Sequence, residues 1–308
     1  MTTPIVRVAV LINPSARHGL GARAADTAVA TLRARDIVVT EMIGRDEAEA
    51  RELAREAASS GPDAVVVVGG DGSVRLTLDA IGGTGVPIGL IPAGTGNDHA
   101  RALGVPTGDP VAAAGIIADG HRRRFDLAVI TLADGSSTVF GTVAATGLDA
   151  LVTERANTMA WPKGQLRYPL AAVVELARMK RFHYRITVDD KTFERDLILA
   201  AVGNTASYGG GMHITPDAAV DDGLLDLTLV AHGSRLKMIG LFPTMYSGKH
   251  IRHKEVEQFR GTRIVLDCSP TAPIYADGDR IGQLPATIEL RPGAVTFLAP
   301  RASVSGNP

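Results

Sequence analysis

Val65-Val66-Val67-Val68-Gly69-Gly70-Asp71-Gly72-Ser73 is the stretch that decides the fold. Four β-branched residues in succession form a strand suited to burial on both faces, as in a parallel sheet. That strand runs directly into a glycine turn with one carboxylate at its centre. The glycines let backbone amides approach a phosphate, and Ser73 is placed to cap a helix whose N-terminal dipole favours an anion. Asp71 repels phosphate, so its chemistry is that of a hard oxygen ligand to a divalent cation bridging phosphates. The turn points to a nucleotide-dependent kinase. It is not a Walker loop, because no Gly-Lys-Ser/Thr follows.

Outward from this turn, short apolar runs alternate with amphipathic segments. Strands are expected at 6–12, 37–43, 64–68 and 87–91, and helices at 22–34, 47–59, 73–81 and 97–103. This is the pattern of an α/β layer fold, which places ligands in the loops at the carboxyl ends of its strands. Beyond Asp126 the period shifts to two, with runs at 126–132, 138–145, 184–188, 196–202, 225–230, 263–267, 271–276 and 287–290, and one helix at 168–180. The expected organisation is an α/β domain over 1–127, rejoined by 291–300, a β-rich domain over 128–290, and a disordered tail over 301–308.

The 308 residues suffice for two cores, and Lys+Arg (32) against Asp+Glu (33) gives a net charge of -1, so nucleic acid is not an expected partner. Cys268 is the only cysteine. With no secretion signal read at the start, the expected location is cytoplasmic. No apolar run reaches a membrane-spanning length, so a lipid substrate would be met by peripheral association at the membrane surface.

A second glycine loop, Pro92-Ala93-Gly94-Thr95-Gly96-Asn97-Asp98, follows the fourth strand. Alone it reads more often as a helix start; beside the first loop it reads as a phosphate site, with Gly94, Thr95, Gly96 and Asn97 near phosphate and Asp98 as a second carboxylate. Asn13-Pro14-Ser15-Ala16-Arg17 is a third turn on the same sheet edge. Asp126, inside Arg122-Arg123-Arg124-Phe125-Asp126-Leu127, is either a further carboxylate of the site or a strand-edge Asp beside a solvated basic turn. The eight histidines show no zinc-ligand spacing. The segment from Trp161 to Arg185 mixes basic and apolar residues and reads as a helix packed on the β-rich domain, ahead of a basic apron for anionic lipid.

These loops, with Gly141 to Gly147, Tyr208-Gly209-Gly210-Gly211, Asp221-Asp222-Gly223-Leu224-Leu225-Asp226 and Asp277-Gly278-Asp279, resemble the soluble diacylglycerol and sphingosine kinase superfamily, above all the bacterial diacylglycerol kinases of actinobacterial type. The resemblance implies an N-terminal α/β nucleotide-binding domain of the NAD kinase and phosphofructokinase kind and a C-terminal β-sandwich holding lipid. ATP is implied at Asn13 to Arg17, Thr40, Gly69, Gly70, Asp71, Gly72, Ser73, Val74, Arg75, Leu76 and the Gly94 to Asn97 loop. A network of Asp71, Asp98 and Asp126 around Mg2+ is implied, with Asp279 as general base. A structural metal is implied at the Asp222 side chain and the main-chain oxygens of Ala219 and Leu224; from the residues alone that segment is a plain β-turn. A homodimer is also implied.

The function expected is ATP-dependent phosphorylation of the free hydroxyl of diacylglycerol to phosphatidic acid. The alternatives are a sphingosine, ceramide or other lipid kinase, then an NAD kinase-like small-molecule kinase sharing the Gly-Gly-Asp-Gly turn, then a catalytically dead lipid-binding protein.

Overall fold

The computed structural model describes residues 4–12, 20–159, 161 and 167–301. It divides into two compact units, one running to Phe125 and resuming at Gly293, the other spanning Asp126–Pro292.

The first unit is an α/β layer. Strands β1 (Arg7–Ile12), β2 (Val38–Ile43), β3 (Ala64–Gly69) and β4 (Ile88–Pro92) alternate with helices α1 (Leu20–Arg33), α2 (Glu47–Ser59), α3 (Asp71–Ile81), α4 (Asp98–Leu103) and α5 (Pro110–Asp119). The strands are parallel in the order β2-β1-β3-β4. All six residues of β3 are buried, as its β-branched run requires of a central strand. β2 lies at the edge and keeps Val38 and Thr40 exposed. Asp46 caps α2 by accepting from the Glu49 N–H, and Asp109 caps α5 by accepting from Ala112, with Pro110 in the first turn.

The second unit is mainly antiparallel. It comprises β5 (Arg122–Leu132), β6 (Ser137–Phe140), β7 (Val143–Gly147), α6 (Leu148–Thr158), α7 (Arg167–Arg178), β8 (Phe182–Val188), β9 (Lys191–Gly203), β10 (Leu225–Ala231), α8 (Arg235–Met245), β11 (Val256–Gly261), β12 (Arg263–Ser269), β13 (Pro273–Ala276), β14 (Asp279–Gln283) and β15 (Ala286–Leu298). β5 and β15 carry the chain across the two boundaries between units.

Period-two alternation lets the central strands bury both faces. On β7 and β9, Ala144, Leu197, Ala200 and Val202 join one apolar cluster with Phe140, Phe182, Tyr184 and Leu227. Val143, Ala145, Ile198 and Ala201 join another, covered by Leu148 of α6, Leu176 of α7 and Met238 and Leu241 of α8. The helix expected at 168–180 is α7, and its Leu176 does pack on the β-rich unit. Glu175 there is buried between Arg155 and Arg178.

Several expected elements are redrawn. The strand expected at 138–145 is two strands, interrupted at Gly141 and Thr142 because their N–H groups donate to the buried Asp277 carboxylate at 2.9 and 2.8 Å. The helix after the first glycine turn starts at Asp71, with Gly70 as its N-cap, so Ser73 sits inside the first turn and is not the cap. α5, α6, α8, β11 and β14 are additional to the elements expected. Arg301, placed in the expected tail, bonds His121 at 2.9 Å, and 302–308 lie outside the described residues.

Candidate active site

The parallel pairing of β3 with β4 brings the two glycine loops together. Gly69 stands opposite Pro92, and the Ala93 N–H donates to the Gly69 carbonyl at 2.9 Å. Beyond the strands, Gly70 and Gly94 pass backbone to backbone: a Cβ on Gly94 would overlap the Gly70 main chain. The two loops need glycine for close approach to each other as well as for any approach to a phosphate.

Asn97 fastens the second loop. Its Oδ1 accepts from the Gly94 N–H at 3.0 Å and its Nδ2 donates to the Gly94 carbonyl at 2.8 Å. Asn97 holds the left-handed conformation (φ 55°) at the N-cap of α4, which Asn tolerates better than most residues. With its amide committed to Gly94, it leaves the capping of α4 to another side chain, and Asp71 supplies it. The Asp71 Oδ1 accepts from the His99 N–H at 3.2 Å and lies 3.0 Å from His99 Nδ1. A carboxylate only accepts, so Nδ1 carries the proton.

The two carboxylates are arranged alike. Asp71 gives Oδ1 to His99, and Asp98 gives Oδ1 to Arg101 Nη1 at 3.1 Å. Both turn Oδ2 toward Gly96: a Cβ there would stand 2.6 Å from Asp71 Oδ2 and 3.3 Å from Asp98 Oδ2. Arg101 also bonds the Gly96 carbonyl, fixing the loop beneath them. Burial pushes the Asp71 carboxyl upward, but the His99 ring and the N–H groups of His99 and Asp98 outweigh this and hold it below the ordinary carboxylate value. Asp71 is therefore an anion at neutral pH. Behind it, His99 is fully buried against Phe125, which meets Phe297 edge to face at 5.0 Å between centroids.

Two carboxylate oxygens converging over one glycine make a donor set that suits a small divalent cation, with water completing its shell. Among the described residues no group of three His, Cys, Asp or Glu side chains is disposed to hold a metal. The N-cap of α3 is Gly70, which has no side chain, so the positive end of the helix faces the first glycine turn.

The other expected site residues fall into distinct places. Gly69 ends β3, Gly72 and Thr95 are exposed, and Ser73 and Arg75 are half-buried in α3. Val74 and Leu76 point into the core and are 5% and 7% exposed, so their side chains are unsuited to ATP contact. Thr40 lies in mid-strand on β2, separated from β3 by β1, so it is not brought to the glycine loops. Asn13, Pro14, Ser15, Ala16 and Arg17 lie outside the described residues.

Asp126 belongs to the second unit, where its Oδ2 accepts from the Gly223 N–H at 2.7 Å and its N–H donates to the Val220 carbonyl at 2.7 Å. It thereby anchors the Asp221-Asp222-Gly223 turn. Asp222 closes the turn on the Leu224 N–H at 3.0 Å and is ion-paired with Arg260, which also meets Asp226 at 3.2 Å. Arg260 thus bridges the Asp222 and Asp226 carboxylates beside this turn.

Asp277 and Gly278 (φ 50° and 87°) form the two-residue turn between β13 and β14, and Asp279 is the first residue of β14. Two left-handed residues in succession are the hairpin turn that Asp-Gly favours. Asp277 is a structural clamp, adding a bond from Thr142 Oγ1 at 2.5 Å to its two backbone bonds.

Two family models match the chain. The diacylglycerol kinase catalytic domain covers residues 7–130, and the YegS C-terminal NAD kinase beta sandwich-like domain covers 141–299. A curated diacylglycerol kinase of Mycobacterium tuberculosis is 46% identical over 298 residues, 96% of each chain. The chain belongs to the diacylglycerol kinase family. As a member it is a kinase, and its fold is the family's α/β catalytic domain with a C-terminal β-sandwich domain. A diacylglycerol kinase of Bacillus subtilis is 28% identical over 240 residues, 77% of this chain and 78% of that one. A crystal structure of a putative diacylglycerol kinase from Bacillus anthracis matches with a TM-score of 0.80 and 25% identity, over 98% of this chain and 100% of that one.

Ligand spacing among the histidines gives no hint of the roles of His99 and Arg101. A signal was present: both follow Asp98 within the first turn of a helix that begins at a glycine loop.

Proposed function

We propose that this kinase transfers the γ-phosphoryl group of ATP to the free hydroxyl of diacylglycerol, giving phosphatidic acid. The observation that carries the reading is the convergence of Asp71 and Asp98 over Gly96, beside two glycine loops in backbone contact. In this reading the first unit binds ATP and the second binds lipid. The amides of the Gly69 to Ser73 and Gly94 to Gly96 loops, with the positive end of α3, receive phosphate oxygens and hold them in line for attack.

Mg2+ held by Asp71 and Asp98, joined in this reading by Asp126, would neutralise charge on the phosphates. Arg101 and His99 keep the two Oδ1 atoms fixed, so both Oδ2 atoms are already aimed before substrate arrives. The acceptor oxygen bonds to the γ-phosphorus as the bond from phosphorus to the β,γ-bridging oxygen breaks and ADP leaves. The hydroxyl proton passes to the Asp279 carboxylate, a general-base contribution of about 10² to 10⁴. Because diacylglycerol stays in the bilayer, the reading makes this a cytoplasmic enzyme that associates with the membrane surface. No helix among the described residues is long and apolar enough to cross one.

The test is transfer of labelled phosphate from ATP, with and without Mg2+, to diacylglycerol, monoacylglycerol, sphingosine and ceramide in mixed micelles, alongside NAD and sugar phosphates. Diacylglycerol is expected to be the preferred acceptor. Phosphorylation of NAD but of no lipid would overturn the reading.

A further inference from the structure

α8 carries an outer face that water should not favour. Leu236, Ile239, Pro243 and Tyr246, at spacings of three and four, are exposed on one side of the helix, with Leu236 83%, Ile239 57% and Tyr246 56% accessible. Gly240 and Ser247 are the other exposed residues of this stripe, so it contains no charged side chain. The opposite side is equally apolar, since Met238, Leu241 and Met245 are buried against the β-rich unit. A helix on a protein surface ordinarily turns a charged face to solvent. This one does not.

The neighbouring α7, which packs on α8, adds Val173 at 64% and Leu170 at 37%. Five of the ten large apolar residues exposed among the described ones, Leu170, Val173, Leu236, Ile239 and Tyr246, lie on α7, on α8 or at the end of α8. Exposed apolar residues scattered singly need no explanation, but their concentration on two adjacent helices does.

The charge carried by the segment that contains α8 is of one sign. From Leu227 to Lys254 there is no Asp or Glu, although the chain's overall composition would place about three in a stretch of that length. The same stretch holds Arg235, Lys237, Lys249, Arg252 and Lys254, all exposed. Lys237 pairs with Glu255 at 3.0 Å at the edge of the segment. An apolar stripe flanked mainly by cations matches the boundary of an anionic bilayer, where acyl chains take the former and lipid phosphates the latter. A protein partner or a second copy would need an acidic rim as well as an apolar centre. A membrane offers both together, and it is where the acceptor of the proposed reaction resides.

We infer that the outer face of α8, flanked by Arg235, Lys249, Arg252 and Lys254, docks this kinase on anionic phospholipid with Leu236, Ile239 and Tyr246 entering the interface. The choice of a lipid surface as occupant rests on the proposed lipid acceptor.

The experiment is co-sedimentation of the full chain with vesicles free of diacylglycerol, made of phosphatidylcholine alone or mixed with phosphatidylglycerol. The full chain is expected to bind the anionic vesicles preferentially. Leu236→Ser with Ile239→Ser should weaken binding at least about tenfold, given the free energy of burying two such side chains. Lys249→Gln, Arg252→Gln and Lys254→Gln together should remove the preference for phosphatidylglycerol, about fivefold per cation. Both substituted sites are exposed, and thermal melts check that the variants fold.

In a Trp161→Phe background, Ile239→Trp reports its own surroundings, and its emission should move to the blue on adding anionic vesicles. Equal sedimentation of the full chain and the Leu236/Ile239 variant, or no emission shift, overturns the inference. A variant that still binds vesicles but loses half its solution mass assigns the face to a second copy and overturns it too. Activity toward a short-chain diacylglycerol dispersed in water separates the two readings. If that activity is present while vesicle binding ignores α8, only the docking face falls. If α8-dependent binding occurs while no lipid is phosphorylated, only the proposed reaction falls.

Discussion

Asp71 and His99, each at the start of a different helix, form one hydrogen-bonded piece: the carboxylate of α3 accepts from both the backbone N–H and the ring Nδ1–H of a buried residue in α4. Through it, one pair of side chains ties the helix that follows the first glycine loop to the helix that follows the second.

The first prediction concerns that pair. His99→Gln should fold, leave the lipid KM close to unchanged and lower kcat about tenfold to a hundredfold, the usual scale for a residue that orients a metal ligand, the role proposed for Asp71. His99 holds the Asp71 carboxyl down, so its loss should move the acid limb of the kcat profile to higher pH. A profile that does not move would make His99 merely structural. Asp71→Asn should abolish most turnover, and the stability Asp71 adds above the ordinary carboxylate range should be lost as pH falls through its lowered folded value.

Gly96→Ala is the sharpest steric test. Its methyl group would sit 2.6 Å from Asp71 Oδ2, closer than nonbonded atoms settle, so the carboxylate must move. Turnover should fall at least about a hundredfold, while the unfolding free energy measured in urea changes by about 1 kcal/mol or less. Gly94→Ala should cost more stability, because its methyl group meets the Gly70 backbone, which cannot swing aside as a side chain does.

Asp277→Ala removes a buried carboxylate that holds three donors of Gly141 and Thr142. Leaving those groups unpaired should cost about 3 kcal/mol in urea unfolding. Asp277→Asn tolerates the left-handed backbone and keeps one acceptor oxygen, so it should lose less.

Asp149 gives a pH signature of the second unit. Burial at the start of α6 raises its carboxyl to about 6, against a lowering bond from Tyr208. A raised folded value means the neutral acid is favoured in the native state. Its effect on stability is small below the unfolded value near 3.8, grows as pH rises toward 6, and above that is a constant penalty of the order of 1–3 kcal/mol. Asp149→Asn should therefore raise Tm more at pH 8 than at pH 4. Equal increments at both would show that Asp149 does not titrate as described.

Much of the α/β unit was legible because one property dominates each element there. Four valines force a central strand, and two glycine turns behind neighbouring strands force adjacent loops. α3 starts two residues before the expected Ser73, since a serine looks like a cap and glycine caps without any side chain. α5 and α8 were hidden because both are apolar nearly all round, which erases the helical period although Asp109-Pro110 and Ser234 mark their starts. Long-range pairings were beyond reach. Nothing local announces that Asp277 splits a strand 135 residues earlier, or that Arg260 neutralises Asp222.

β15 has a consequence for how this molecule is made. Phe297 joins β4 beside Ile88 and packs on Phe125, yet the whole of Asp126–Pro292 intervenes in sequence. A ribosome that has finished residue 125 has therefore delivered every helix and glycine loop of the catalytic unit but not the strand that covers the β4 edge. Until some 170 further residues emerge, that edge is open to pairing with whatever strand it meets.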